Sequence, residues 1–374
     1  MPERFRLIAV TPEEFIMIKL IHCSDLHLDS RMEANLTPEQ ARQRNRELCT
    51  CFARMGRYAA QQGVSVILIA GDLFDSERIS ATTVSFFLDT VRQLPQIDFL
   101  YLRGNHDEGG LAFAGRELPD NLRLFSHEWA GYTYDFLTVT GLEWDGSNDL
   151  TAYDSLRLDP AQTNIVTLHG QVSSQPGQEL VCLPRLQGKH IDYLALGHIH
   201  SYDCQSLDVD SVWCYSGCLE GRGFDECGEK GFVLLEIEPK HIRHTFVPFA
   251  TRTLYEVPVD ITGKITVSEL QAALEEASSD ISSDSMVKFI LQGSFTPDTQ
   301  KDPEFLQQLL SSRFYFVKIK DESHLEIRKD AYEHDISLKG SFIRTVMDAQ
   351  LTEEEKDLII CSGLQALRGE AISL

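Results

Sequence analysis

Blocks of apolar and polar residues mark out elements of two periods along this chain. Residues 17–22 read as a first strand. At 37 the run Thr-Pro-Glu-Gln places Pro38 at the first helical position and Gln40 where a capping box needs it. A helix is therefore predicted from 37 to about 62, stopped by Gly63. Residues 64–70 form an apolar run of the kind found in strands covered on both faces. A helix over about 80–94 follows, with Phe86, Phe87 and Val91 facing inward. Strands are then predicted over 97–102, within 132–144, over 164–168 and over 192–196, and 231–238 with 241–249 alternate like an antiparallel hairpin. Strands interleaved with helices imply a layered, largely parallel α/β domain.

From 255 the pattern restarts, with strand to 261, helix 266–278, strand 286–292, helix 303–313 and strands 314–320 and 325–328. Helices over 338–347 and 352–368 end the chain, the second opened by Thr-Glu-Glu-Glu. A chain of 374 residues exceeds the roughly 250–300 at which single cores stop growing, so two folded units are expected. The expected division is an N-terminal extension over 1–16, a main domain over 17–252, a small α/β domain over 253–334 and a C-terminal helical segment over 335–374.

Composition narrows the class. An apolar fraction of 43% and a charged fraction of 24% are those of a soluble globular protein. No apolar run approaches the roughly 18 residues of a membrane span, so a cytoplasmic location without a membrane partner is expected. Nine cysteines suit free thiols in a reducing compartment better than a disulfide framework. The net charge of −23 opposes a free-standing DNA binder, which normally shows a basic surface. Bound divalent cations would reverse the local sign where a phosphate sits, so charge alone does not choose the substrate.

The chemistry sits at strand ends. Five predicted strands each run into a polar cluster: Asp25-Leu-His27, Gly71-Asp72-Leu-Phe-Asp75, Gly104-Asn105-His106-Asp107, His169-Gly170 and Gly197-His198-Ile-His200. In open parallel sheets ligands bind beyond the carboxyl ends of the strands, so the clusters are expected to converge. A single Asp-x-His is common by chance; five clusters in order at strand ends are not. Asp, Asn and His form a ligand set for manganese, iron or zinc. Asp25, His27, Asp72, Asn105, His169, His198 and His200 exceed the needs of one ion, and Asp72 is the natural bridge between two. Asp29 and Asp75 are expected to cap or orient neighbours. Arg103 and Arg222, beside the motifs, are candidate phosphate contacts; Lys288, Lys318, Lys320, Arg328 and Lys329 are weaker ones, equally explained as solubilising charge.

These ordered motifs resemble those of the calcineurin-like metallophosphoesterases over about residues 17–250. The resemblance implies a four-layer αββα sandwich of two mixed sheets, with the later α/β unit as a cap. It implies one metal ion on Asp25, His27, Asp72 and His200, and a second on Asp72, Asn105, His169 and His198, most often manganese. His106 would face the leaving group, with Asp107 orienting its ring. The stretches 22–30, 194–200 and 215–232 are similar to those of SbcD-type nucleases. That implies phosphodiester hydrolysis on DNA in repair, an SbcC-like coiled-coil ATPase partner and a homodimer. Two competing classes are a phosphodiesterase or phosphatase for nucleotides or other small esters, and a regulatory subunit with a degenerate site. The complete ligand set argues against the latter.

Overall fold

The computed structural model describes residues 17–32, 36–75, 79–107, 111–144, 150–177, 179–327 and 329–368. The expected extension over 1–16 lies outside them. Two compact units meet in sequence between Thr251 and Arg252.

In the first unit the strands are β1 (Ile18–Cys23), β2 (Val66–Ala70), β3 (Asp98–Leu102), β4 (Leu122–Leu124), β5 (Ala130–Tyr134), β6 (Leu137–Gly141), β7 (Thr163–His169), β8 (Gln171–Ser173), β9 (Leu180–Cys182), β10 (Tyr193–Gly197), β11 (Asp203–Ser206), β12 (Val212–Tyr215), β13 (Gly231–Glu238) and β14 (His241–Pro248). One six-stranded sheet has the order β14-β13-β1-β2-β3-β4 and a second the order β11-β12-β10-β7-β6-β5. Strands β1 to β4 run parallel and the β13–β14 hairpin closes the first sheet antiparallel. In the second sheet β6, β7, β10 and β12 are parallel.

The sheets pack face to face because both inner faces are apolar. Leu20, Leu68, Leu100 and Leu102 meet Leu137, Val139, Ile165 and Tyr193 in a core between them. The outer face of the first sheet is covered by helices α1 (Pro38–Gln62) and α2 (Ala81–Arg92). Phe52, Met55, Phe87 and Val91 from these helices bury against Ile67, Ile69 and Phe99, each burial contributing about 1.5–3 kcal/mol. Helix α1 begins in the capping box expected at Thr37 and Gln40 and stops at Gly63, whose φ of 69° is left-handed. The outer face of the second sheet is covered more thinly. The short helix α3 (Leu150–Ser155) and neighbouring loops bring Tyr153, Leu156 and Leu186 onto Val166, Leu194 and Trp213.

The second unit is built on a parallel sheet of β15 (Leu254–Asp260), β16 (Met286–Gln292) and β18 (Phe316–Asp321), with a small pair β17 (Ser294–Phe295) and β19 (His324–Leu325). Helices α4 (Val267–Ala277) and α5 (Pro303–Leu310) bury Leu270, Leu274, Leu306 and Leu310 on Phe289 and Leu291 of that sheet. After the one-turn α6 (Lys329–Tyr332), α7 (Leu338–Met347) and α8 (Glu353–Arg368) pair through Ile343, Val346, Ile360 and Leu364. The C-terminal helices cluster with the second unit, where Phe295 packs against both its sheet core and the helical cluster. Among the described residues no helix is long and apolar enough to cross a membrane.

Candidate metal centre

The clusters come from both sheets. Strands β1, β2 and β3 of the first and β7 and β10 of the second all end at the same rim, and loop-to-loop bonds fix them there. The Asp25 amide donates to the Gly71 carbonyl at 3.0 Å and the His27 amide to the Asp72 carbonyl at 3.0 Å. Across the sandwich, His169 Nδ1 at the end of β7 bonds the Ala70 carbonyl at the end of β2, at 2.9 Å. Two glycines let the loops close this tightly. A Cβ on Gly71 would lie 2.0 Å from the His169 ring, and one on Gly104 would lie 2.2 Å from Asp72 Oδ1.

Four of the seven candidate ligands hold left-handed backbone: Asp25 at φ 53°, His27 at 42°, Asp72 at 52° and His198 at 105°. Such residues cost roughly 1–3 kcal/mol each and persist where surroundings over-determine them. Asp72 Oδ1 accepts the His106 amide at 2.9 Å, and Asp25 accepts the His198 amide at 3.0 Å. Those bonds hold the strained turns in place.

What converges is acceptors on acceptors. His169 Nδ1 faces a carbonyl, so Nδ1 keeps a hydrogen, and once the ring is neutral the lone pair of Nε2 points to Asn105 Oδ1 at 3.0 Å and Asp72 Oδ2 at 3.3 Å. His198 Nδ1 is 3.3 Å from the same Asn105 oxygen. His200 Nδ1 lies 2.7 Å from the Glu226 carboxylate, which leaves its Nε2 opposed to His27 Nε2 at 3.2 Å. That spacing suits two imidazoles on one cation at about 2.0–2.1 Å each. His27 Nδ1 is 2.9 Å from Asp75 Oδ1. Asp25, His27 and His200 make one group able to hold a metal ion and Asp25, Asp72 and His169 another. The donor set therefore fits two divalent cations.

The protonation of the cluster reflects the same demand for positive charge. Burial lowers the His169 imidazole, but the Asp72 carboxylate more than reverses this and raises it to about 9. Burial raises Asp72, and His169 then holds it well below the usual carboxylate range. Burial also raises Glu226, which His200 and Arg222 together bring well below its ordinary value.

The buried Asp107 carboxylate accepts the amides of Leu73 at 3.1 Å, Phe74 at 2.9 Å and Gly104 at 3.0 Å, tying the second and third loops together. Burial and the Asp72 charge raise it to about 6. The Asp75 carboxylate lies 3.9 Å from His106 Nδ1, and the His106 side chain is 48% exposed at the rim. The two candidate arginines both hold carboxylate partners. Arg103 is forked onto Glu143 at 2.9 and 2.5 Å. Arg222 bridges Asp75 at 2.9 Å and Glu226 at 2.8 Å. In the second unit Lys288 pairs with Glu256 and Lys320 with Glu322 at 2.6 Å; Arg328 and the Lys329 side chain lie outside the described residues. Asp29 accepts the amide of Ser80, the residue that caps α2, at 2.6 Å. Glu226, which buttresses His200, was not singled out from the sequence because nothing local marks it among the chain's many acids.

Residues 18–202 match the family described as calcineurin-like phosphoesterase. The chain is similar to an uncharacterized metallophosphoesterase of Bacillus subtilis, YhaO, at 28% identity over 74% of this chain and 72% of that one. It is 22% identical to the SbcD component of the nuclease SbcCD of Staphylococcus epidermidis over 91% of this chain and 97% of that protein. It is 24% identical to a DNA double-strand break repair protein of Saccharolobus solfataricus over 58% of this chain and 60% of that one.

Proposed function

We propose, on the premise that this chain carries a calcineurin-like phosphoesterase domain over residues 18–202, that it is a two-metal nuclease cleaving phosphodiester bonds in DNA. The observation that carries the chemistry is the convergence of His27, His169, His198, His200, Asn105, Asp25 and Asp72 as mutually facing acceptors beneath an exposed His106. Asp25, His27, Asp72 and His200 would hold one ion and Asp72, Asn105, His169 and His198 the other, with manganese as the expected metal. When bound, two such ions neutralise phosphate oxygens and acidify the attacking water. The chain's own residues do the rest. Glu226 and the Ala70 carbonyl fix which nitrogen of His200 and His169 faces inward, and Asp107 keeps the Asp72 and Asn105 loops in register. His106, reachable from solvent, donates a proton to the departing oxygen, a role worth typically 10²–10⁴-fold.

DNA as substrate, and an SbcC-like coiled-coil ATPase as partner, are supported by near end-to-end similarity to a nuclease component. A second reading, hydrolysis of nucleotides or other small phosphodiesters, is favoured by the net charge of −23 and by the carboxylate partners already held by Arg103 and Arg222. The test offers manganese-loaded protein single-stranded DNA, duplex ends and an aryl phosphodiester. Cleavage of DNA is expected; turnover of the small ester with none on any DNA, even beside a coiled-coil ATPase, would transfer the proposal to the second reading.

A further inference from the structure

We propose that Cys204 and Cys214 form a reversible cross-strand disulfide when the protein meets hydrogen peroxide. The two residues are directly opposed in the antiparallel β11–β12 pair, at the edge of the second sheet. Opposed residues of such a pair have Cα atoms about 4.5 or 5.5 Å apart and side chains on one face. Both separations lie within the roughly 4.4–6.8 Å that a disulfide spans. Both thiols are reduced in this structure.

Their surroundings divide the labour. Cys214 is buried in the core between the sheets, whereas Cys204 is half-buried on the edge strand and packs against that same core. His244, on β14 at the edge of the first sheet, brings Nε2 to 3.5 Å from the Cys204 sulfur. Hydrogen bonding from Cys214 lowers the Cys204 thiol against the opposing effect of burial. Hydrogen bonding to Cys204 and burial raise Cys214, which stays a thiol. Cys23, Cys51 and Cys218, by contrast, are raised by burial. A reachable thiol whose titration is lowered, with a second cysteine directly opposite on the neighbouring strand, is the arrangement that oxidation captures as a disulfide.

The Cys204 thiolate attacks one peroxide oxygen; the S–O bond forms, the O–O bond breaks, and hydroxide leaves as water after taking a proton. The Cys214 sulfur then attacks the Cys204 sulfur. The S–S bond forms, the S–O bond breaks, and the departing hydroxide takes the Cys214 proton as a second water. Peroxide is reduced by two electrons and the cysteine pair is oxidised by two.

The test treats the full chain with graded hydrogen peroxide, alkylates remaining thiols in denaturant and maps peptides without reductant. Residues 205–213 contain no Lys or Arg but include Asp208 and Asp210, so a protease cutting at aspartate separates the two cysteines. A Cys204–Cys214 cross-linked pair that dithiothreitol reverts is expected. In Cys214→Ser, Cys204 should stop at the sulfenic acid and be trapped by dimedone. Cys204 driven to sulfinic acid in the wild type beside an alkylated Cys214, or both cysteines alkylated after peroxide, would overturn the proposal.

Discussion

Glu226→Gln separates a carboxylate that tunes the centre from those that would hold metal. Glu226 Oε1 lies 2.7 Å from His200 Nδ1, and the same carboxylate accepts the Arg222 amide at 2.7 Å and its guanidinium at 2.8 Å. Glutamine keeps the size and one acceptor oxygen, but removes the charge that draws the hydrogen onto Nδ1 and keeps the Nε2 lone pair turned inward. It also sets an amide donor against Arg222. Loss of such a partner typically weakens metal affinity 10–100-fold, about 1.4–2.8 kcal/mol. Arg222 keeps Asp75 at 2.9 Å, which limits damage to the loop. Calorimetric titration with manganese should resolve two sites. The one around Asp25, His27 and His200 should weaken by that factor, and the one around Asp72, Asn105 and His169 should hold its affinity. Circular dichroism and a thermal melt of the metal-free variant control for folding. Unchanged affinity at both sites, or an equal loss at both with an intact fold, would refute the claim that Glu226 acts through His200.

His106→Ala should retain both manganese ions and lose 10²–10⁴-fold in turnover, whereas Asp72→Ala should lose metal as well; parallel metal loss in the two would make His106 a ligand beside His27 and Asp75. Because His169 sits at about 9, a cation must displace its proton below that pH. Manganese affinity at that site should therefore climb about tenfold per pH unit from 7 towards 9 and then level off, and a flat profile in titrations across that range contradicts the assignment. His22 is fully buried, bonded to the Tyr193 hydroxyl at 3.0 Å, and burial lowers it from 6.5 to about 3. The neutral ring's contribution is complete above 6.5 and is lost as pH falls towards 3, which costs about 2 kcal/mol by pH 5. Urea unfolding at pH 7 and 5 should show that extra loss in the wild type relative to His22→Gln; equal losses would remove His22 as its source.

The sequence by itself determined the parts whose physics is local. The capping box at Thr37 and the stop at Gly63 bounded α1, the apolar run at 64–70 marked β2, and polar clusters after strands marked the candidate ligands. Periodicity, caps and turns are set by neighbours a few residues apart, so they are legible without a fold. Tertiary structure alone decided which carboxylate serves which histidine. Asp107 adjoins His106 in sequence yet bonds amides 33 and 34 residues away, Glu226 reaches His200 across 26 residues, and Asp75 meets Arg222 across 147. Left-handed turns at Asp25, His27, Asp72 and His198 likewise belong to the assembled rim, because only bonds between loops offset their strain. An ionised side chain takes whichever partner the closed fold brings within about 3 Å, and that proximity is a property of the packed sheets.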